Sequence, residues 1–416
     1  MSLLVQKYGG ASLASCQCIK DVAAHIAGTV ADGHSVLVVV SAMAGETKRF
    51  LNMARQFSCD PDPRELAALL SCGEIMSAAL LSGALREIGL DARSYSASQL
   101  GVRGRGHHLN AQLGSIDLGL IKHKMSSGEI IVLAGFQAVN DVGDVVTLGR
   151  GGSDLSAVAL AATLGADECQ IFKDVDGVFT ANPHVVSSAQ LIHYMGIREV
   201  VGMAESGARV VQLRAASCAE RNKVNLRVLS SSFPRDFSGT SIYPTSKSNP
   251  KQWVVGISCF DHQSKWNFQF TPAAEASFTQ FLRHLSSRAI SFHAIVQNRR
   301  ASSISMFFLI NRSESPLVSI AVDKILKGAC FSVDVEHHWS RLSVIGCDLV
   351  SHVETHQLVL SVLLQHEITA DILLMTETQM SFLLPSTDLN RALDVLHDAL
   401  ELSRSSCEEE VISGAF

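Results

Sequence analysis

The chain has 416 residues, 47% of them hydrophobic and 18% charged, with a formal net charge of −6; that is too long for one core and too apolar for disorder, and predicts two or three packed domains. No basic stripe calls for nucleic acid, and no signal peptide or apolar run of bilayer length calls for a membrane. Ten cysteines without zinc-ligand spacing read as reduced thiols of a cytoplasmic protein with no metal site.

In chain order, "SLLVQKYGG" reads as a strand entering a glycine turn, and "CIKDVAAHIAGTVADG" as a helix ending at Gly33. "SVLVVVSAM" lacks alternation and predicts a strand buried on both faces. "GEIMSAALLSGALREIG" predicts a helix ending at Gly89, followed by the strand "DARSYSA". "EIIVLAGFQAV" predicts another buried strand. "SDLSAVALAATLGA" predicts a helix with Ser153 or Asp154 near its N-cap and Gly165 at its end. "ECQIFKDVDGVF" predicts the next strand. Strands alternating with helices imply a largely parallel sheet covered on both faces, an α/β domain over residues 1–245. The Ser/Pro/Gly-rich stretch from Phe233 reads as a linker, with residues 246–252 as its final part. Two βαββα units follow, at a spacing of about eighty residues, over 253–335 and 336–416.

The chemistry gathers in three glycine loops at strand ends, "KYGGAS", "SAMAGET" and "GRGGSDLS". Such loops let backbone N–H groups approach anions at helix N-termini, and in open parallel sheets they line one edge. Lys7, Arg150 and Asp154 sit in them, which points to a phosphate and carboxylate site. Phosphoryl transfer needs cations aimed at the charge on the moving group. Asp154 either positions Lys7 or holds Mg²⁺. No P-loop or protein-kinase motif set is present.

"KYGG.S", "VVVSAM.G.T", "GFQ", "TLGRGGSD.SAVALAA.LGAD", "DVDGVFTA.P" and "GARVVQ.RA", in this order, resemble the bacterial aspartate kinases of the amino acid kinase family. The βαββα units resemble the paired, ferredoxin-like ACT domains that follow the kinase domain there, one often inserted in the other. The resemblance implies ATP-dependent phosphorylation of L-aspartate to 4-phospho-L-aspartate, toward lysine, threonine, methionine and diaminopimelate, with Mg²⁺ carried by ATP and a homodimer or higher oligomer built through the ACT units. It implies that Lys7 neutralises the transferred group and that Gly9 and Gly10 lend N–H groups. Glu74 would bind the substrate ammonium and Arg150 a substrate carboxylate. Ser41, Thr47, Phe136 and Ser153 would line the aspartate pocket, and Asp154 would organise Lys7. Lys173, Asp174, Asp176, Gly177 and Phe179 would hold the nucleotide. Arg209 stands where the family has a second phosphate-binding lysine.

The departures bear mostly on the nucleotide side. Ala11 replaces a threonine, Lys173 another threonine, and Asn182 and His184 an aspartate and an arginine. A lost charged hydrogen bond costs roughly 1.5–3 kcal/mol, so an active but slower kinase is expected. In the ACT units "TPAAEAS" lacks the effector-loop glycine, and Glu354 stands near the second one, which predicts altered or lost lysine and threonine feedback. Two alternatives stand beside this reading: a kinase for another small carboxylate, and a silent paralogue acting as a regulatory or assembly subunit.

Overall fold

Alternating residues of the apolar strands feed two cores, one on each face of an eight-stranded sheet. In Ser35–Val40, Leu37 and Val39 enter one core while Val36, Val38 and Val40 enter the other. The structure is a computed structural model that describes residues 2–208, 210–233, 238–244, 253–288, 290, 292, 294–326 and 331–403. The sheet order is Tyr194–Gly196, Thr240–Tyr243, Leu226–Ser230, Glu168–Lys173, Leu3–Tyr8, Ser35–Val40, Ile130–Ala134, Ala92–Tyr95. Every pairing is parallel except Leu226–Ser230 with Thr240–Tyr243. The α/β reading therefore holds.

Local departures from the sequence reading have physical causes. "EIIVLAGFQAV" is two strands, Ile130–Ala134 and Gln137–Val139, split at Phe136, whose φ is 70°. "ECQIFKDVDGVF" likewise breaks at Asp174–Gly177 before Val178–Phe179. Within the Ser/Pro/Gly-rich stretch, Thr240–Tyr243 is a strand, because Thr240 and Ile242 are fully buried. The helix read from Gly73 starts at Pro63, capped by the Asp62 carboxylate, which accepts from Arg64 N and Glu65 N. This helix, Pro63–Glu87, is long and apolar enough to cross a membrane by length and composition, contrary to the expectation of no such run. Its inner face fills the domain core, with Ala67, Ala78, Leu81 and Leu85 buried, which makes it a core helix.

The C-terminal part is one antiparallel sheet, ordered Ala294–Arg299, Ile304–Asn311, Val254–Phe270, Phe331–Gly346, Gln379–Pro385, Asp371–Met375. Both βαββα repeats appear, with helices Glu275–Ser287 and Ser315–Ile325, then Val353–Gln365 and Leu389–Ala399. Each long central strand serves both cores. Residues 263–270 pair with 304–311, while 254–260 pair with 341–346. One core gathers around Phe268, Phe281 and Phe308. The other gathers around Val344, Phe382 and Leu393.

The two sheets meet at the hairpin after Asp174–Gly177. Ile257 N donates to Thr180 O at 2.6 Å. The Thr180 hydroxyl accepts from Gln190 N at 2.9 Å and meets His397 Nε2 at 2.9 Å. His397 Nδ1 lies 3.2 Å from Ser188 Oγ. Gly207 completes the joint. Its φ is +111°, and an added Cβ would lie 2.3 Å from Cys259 O, so only glycine fits without displacement.

Candidate active site

The strand Leu3–Tyr8 ends with Lys7 beside Glu168–Lys173, in register Lys7 to Ile171 and Tyr8 to Phe172. Tyr8 stacks on Phe172 at 4.7 Å, which fixes the two strand ends together. The helix Gly152–Leu164 packs across both strands, buried from Gly152 to Ala161. Its N-cap is Gly151 at φ 69°, and Ser153 and Asp154 lie in the first turn beside it, as expected, with Asp154 buried. A left-handed residue is required at the cap, and a Cβ there would also strike the Gln212 side chain.

Asp154 is 1% exposed and Lys7 3%. Lys7 Nζ lies 2.6 Å from Asp154 Oδ1, and Lys173 Nζ lies 3.1 Å from Asp154 Oδ2. Burial pulls Lys7 below the ordinary lysine value; Asp154 opposes this and Lys173 adds to it. Burial works against the Asp154 carboxylate too, yet the two ammonium groups outweigh it and hold its pKa below the usual aspartate value. Both carboxylate oxygens thus face ammonium groups, one from each lysine.

Glu74 is buried on the long helix, and its Oε1 accepts from Ala42 N at 3.0 Å. Oε2 is buried without a hydrogen-bond partner among the described residues. Burial raises its pKa to about 7, against the pull of the Ala42 N–H and the Lys7 charge. An orphaned buried carboxylate oxygen is what an incoming ammonium would complete. Ser12 Oγ is buried and likewise without a partner among the described residues.

The remaining expected residues divide. Ser41 Oγ and Ser153 Oγ meet at 2.8 Å. Phe136 N donates to Ser156 Oγ at 3.1 Å, tying its strained turn to the same helix. Gly9 N is engaged by Phe172 O at 3.3 Å, whereas Gly10 uses its carbonyl, accepting from Leu13 N and Ala44 N. Arg150, Thr47, Asp174 and Asp176 are exposed, and Phe179 is half-buried in the hairpin that follows. Gly177 packs against Thr240, whose hydroxyl accepts from Val178 N at 2.8 Å. Arg209 lies outside the described residues.

Sequence reading missed Arg214. One of its amino groups donates to Leu148 O and to Asn110 Oδ1 (2.9 Å), the other to Ala111 O (2.8 Å). It thus holds the chain directly ahead of Gly149–Arg150–Gly151. The only trace in the sequence was its place in "GARVVQ.RA".

Residues 2–230 match the model of the amino acid kinase family. The aspartokinase of Mycolicibacterium smegmatis is 34% identical over 409 residues, 97% of each chain. Aspartokinase 2 of Bacillus subtilis is 33% identical over 405 residues, 97% of this chain and 99% of that one. The solved structure of Escherichia coli aspartokinase III in complex with aspartate and ADP is similar in fold, with a TM-score of 0.79 at 22% identity over 96% of this chain and 100% of that one. By the matched family model and by identity over nearly its whole length, the chain belongs to the aspartokinases of the amino acid kinase family.

Proposed function

We propose that the chain transfers the γ-phosphoryl group of ATP to the side-chain carboxylate of L-aspartate, giving 4-phospho-L-aspartate and ADP. A carboxylate oxygen attacks the γ-phosphorus, the bond to the β-bridging oxygen breaks, and no proton changes hands. The carrying observation is the buried Lys7–Asp154 pair at the C-terminal edge of the parallel sheet. A lysine held there by a buried carboxylate is pre-aimed at charge building on the transferred group.

Glu74 takes the substrate ammonium on its unpartnered Oε2, a role supported by that oxygen's burial. Arg150, exposed beside the glycine cap, takes a substrate carboxylate through its planar fork. Ser41, Thr47, Phe136 and Ser153 border the substrate, and the Gly10 N–H together with the loop Asp174–Gly177 and Phe179 borders the nucleotide, with Arg209 as a further phosphate cation. Mg²⁺ is assigned to the phosphates that bring it.

Residues 253–403 serve as ACT units. The pairing of 263–270 with 304–311 and of 254–260 with 341–346 supports an inserted rather than a tandem arrangement, and a homo-oligomer built through these units. Helix Glu275–Ser287 follows Pro272–Ala274 without a glycine, which supports loss of the effector turn.

The test is hydroxamate formation by the full chain with Mg·ATP, hydroxylamine and L-aspartate, against glutamate and no-substrate controls. Aspartate-dependent product that disappears in Lys7→Ala and Arg150→Ala is expected. Wild-type signal no higher than theirs overturns the reading in favour of a silent regulatory subunit.

A further inference from the structure

Two ammonium groups share the single carboxylate of Asp154. No other ion pair involves Lys7 or Lys173 among the described residues, so the three groups together carry one positive charge in excess. The Lys7 and Asp154 side chains are 4% and 2% exposed. An uncompensated charge so deep in the protein is costly unless an anion completes it.

The excess faces one direction. Lys173 ends the strand Glu168–Lys173, next to the strand that carries Lys7. Its side chain is 17% exposed, whereas Lys7 is nearly sealed, so Lys173 borders the open edge. That edge also holds the Gly9–Gly10 turn and the first turn of helix Gly152–Leu164, whose dipole adds positive potential at its N-terminus. His184, by contrast, is exposed in a turn in which its N–H donates to Asn182 Oδ1 at 3.1 Å.

We infer that Lys173 is a second phosphate-contacting cation, aimed by Asp154 alongside Lys7, and that it supplies positive charge which His184 does not bring to the nucleotide. The inference rests on the ATP-dependent reading above and names the group that meets the nucleotide's phosphates. Asp154 is then a shared anchor: one oxygen aims each lysine.

The experiment uses the full-length chain with Lys173→Met, Lys173→Arg and Lys173→Gln. Binding of ATP, ADP and adenosine is measured by titration calorimetry, and KM for Mg·ATP and for L-aspartate by the hydroxamate assay. Loss of a charged hydrogen bond predicts an ATP affinity about ten- to a hundredfold weaker in Lys173→Met. Adenosine affinity and the KM for aspartate stay within twofold, and Lys173→Arg recovers most of the loss. A merely structural lysine would weaken adenosine alongside ATP. ATP and ADP binding within twofold of wild type in a folded Lys173→Met overturns the inference. If Lys173→Met does not fold, Lys173→Gln, which keeps a donor to Asp154, is judged by the same criterion. A wild-type chain that binds ATP through Lys173 yet makes no aspartyl hydroxamate would sink the kinase reading and leave the inference standing.

Discussion

Asp154 and Lys7 meet at 2.6 Å with almost no exposure to water, but the two do not depend on each other equally. Remove Lys7, and Asp154 keeps Lys173. Remove the Asp154 charge, and two lysines lose their shared partner. Asp154→Asn is therefore expected to cost about 3–5 kcal/mol in chemical denaturation, and Lys7→Met clearly less. Both lower kcat by about 10²–10³-fold, the loss of one preorganised charge at the reacting group. A Lys7→Met protein less stable than Asp154→Asn would contradict this hierarchy.

The Glu74 carboxyl keeps its proton to about pH 7, against a usual glutamate value of 4.5. From pH 4.5 to 7 the unfolded chain releases a proton that the folded chain retains, so Glu74 subtracts stability as pH rises through that window. Glu74→Gln removes this decline in a Tm series. The ammonium of aspartate needs the ionised form, so kcat/KM for aspartate falls below about pH 7. A profile flat to pH 5 in the wild type argues against Glu74 as the ammonium partner.

Arg214 reaches Asn110 Oδ1, Leu148 O and Ala111 O at once from two nitrogens of its planar fork, a spread that the point-like ammonium of lysine does not reproduce. Arg214→Lys should loosen the loop carrying Arg150. The KM for aspartate is expected to rise about tenfold while the KM for Mg·ATP stays level. Equal rises in both would indicate general loosening instead.

Two glycine substitutions separate the site from the joint. Gly151→Ala places a Cβ at φ 69° only 2.0 Å from Gln212 Cγ and 2.5 Å from Gln212 Cβ, so it should cost more than the ~1–2 kcal/mol of the left-handed conformation alone, with a higher KM for aspartate. Gly207→Ala drives a Cβ into the Cys259 carbonyl and should cost about 3 kcal/mol with no selective change in substrate KM. Thermal melts beside steady-state kinetics decide the matter.

Millimolar lysine, threonine or both should leave the initial rate unchanged, given the glycine-free turn at Pro272–Ala274. A clear fall in rate with either amino acid restores feedback control.

Much of the sheet was legible because burial on both faces leaves unbroken apolar strands, and because Gly33, Gly89 and Gly165 stop helices with φ of 86°, 89° and 65°. Lys7, Glu74 and Asp154 were legible through their motifs. The length of Val254–Phe270 was not, since its middle, "DHQSK", is polar and reads as a turn; those residues lie where the strand passes from one core to the other, at the register shifts between Phe260 and Lys265. The Arg214 clamp and the Thr180–His397 bond were illegible for another reason. They join residues 66 and 217 positions apart in the chain, and no local pattern announces such a pair.

That last bond bears on modularity. Thr180 sits in the hairpin that continues the Asp174–Gly177 loop, yet it draws partners from Ile257, on the central strand Val254–Phe270, and from His397, on the helix Leu389–Ala399. Severing the chain between the sheets would strip the hairpin of both partners and uncover their polar atoms. The N-terminal half is thus not a detachable cassette, and exchange of C-terminal halves between relatives succeeds only where the incoming half brings a hydrogen-bonding group to Thr180.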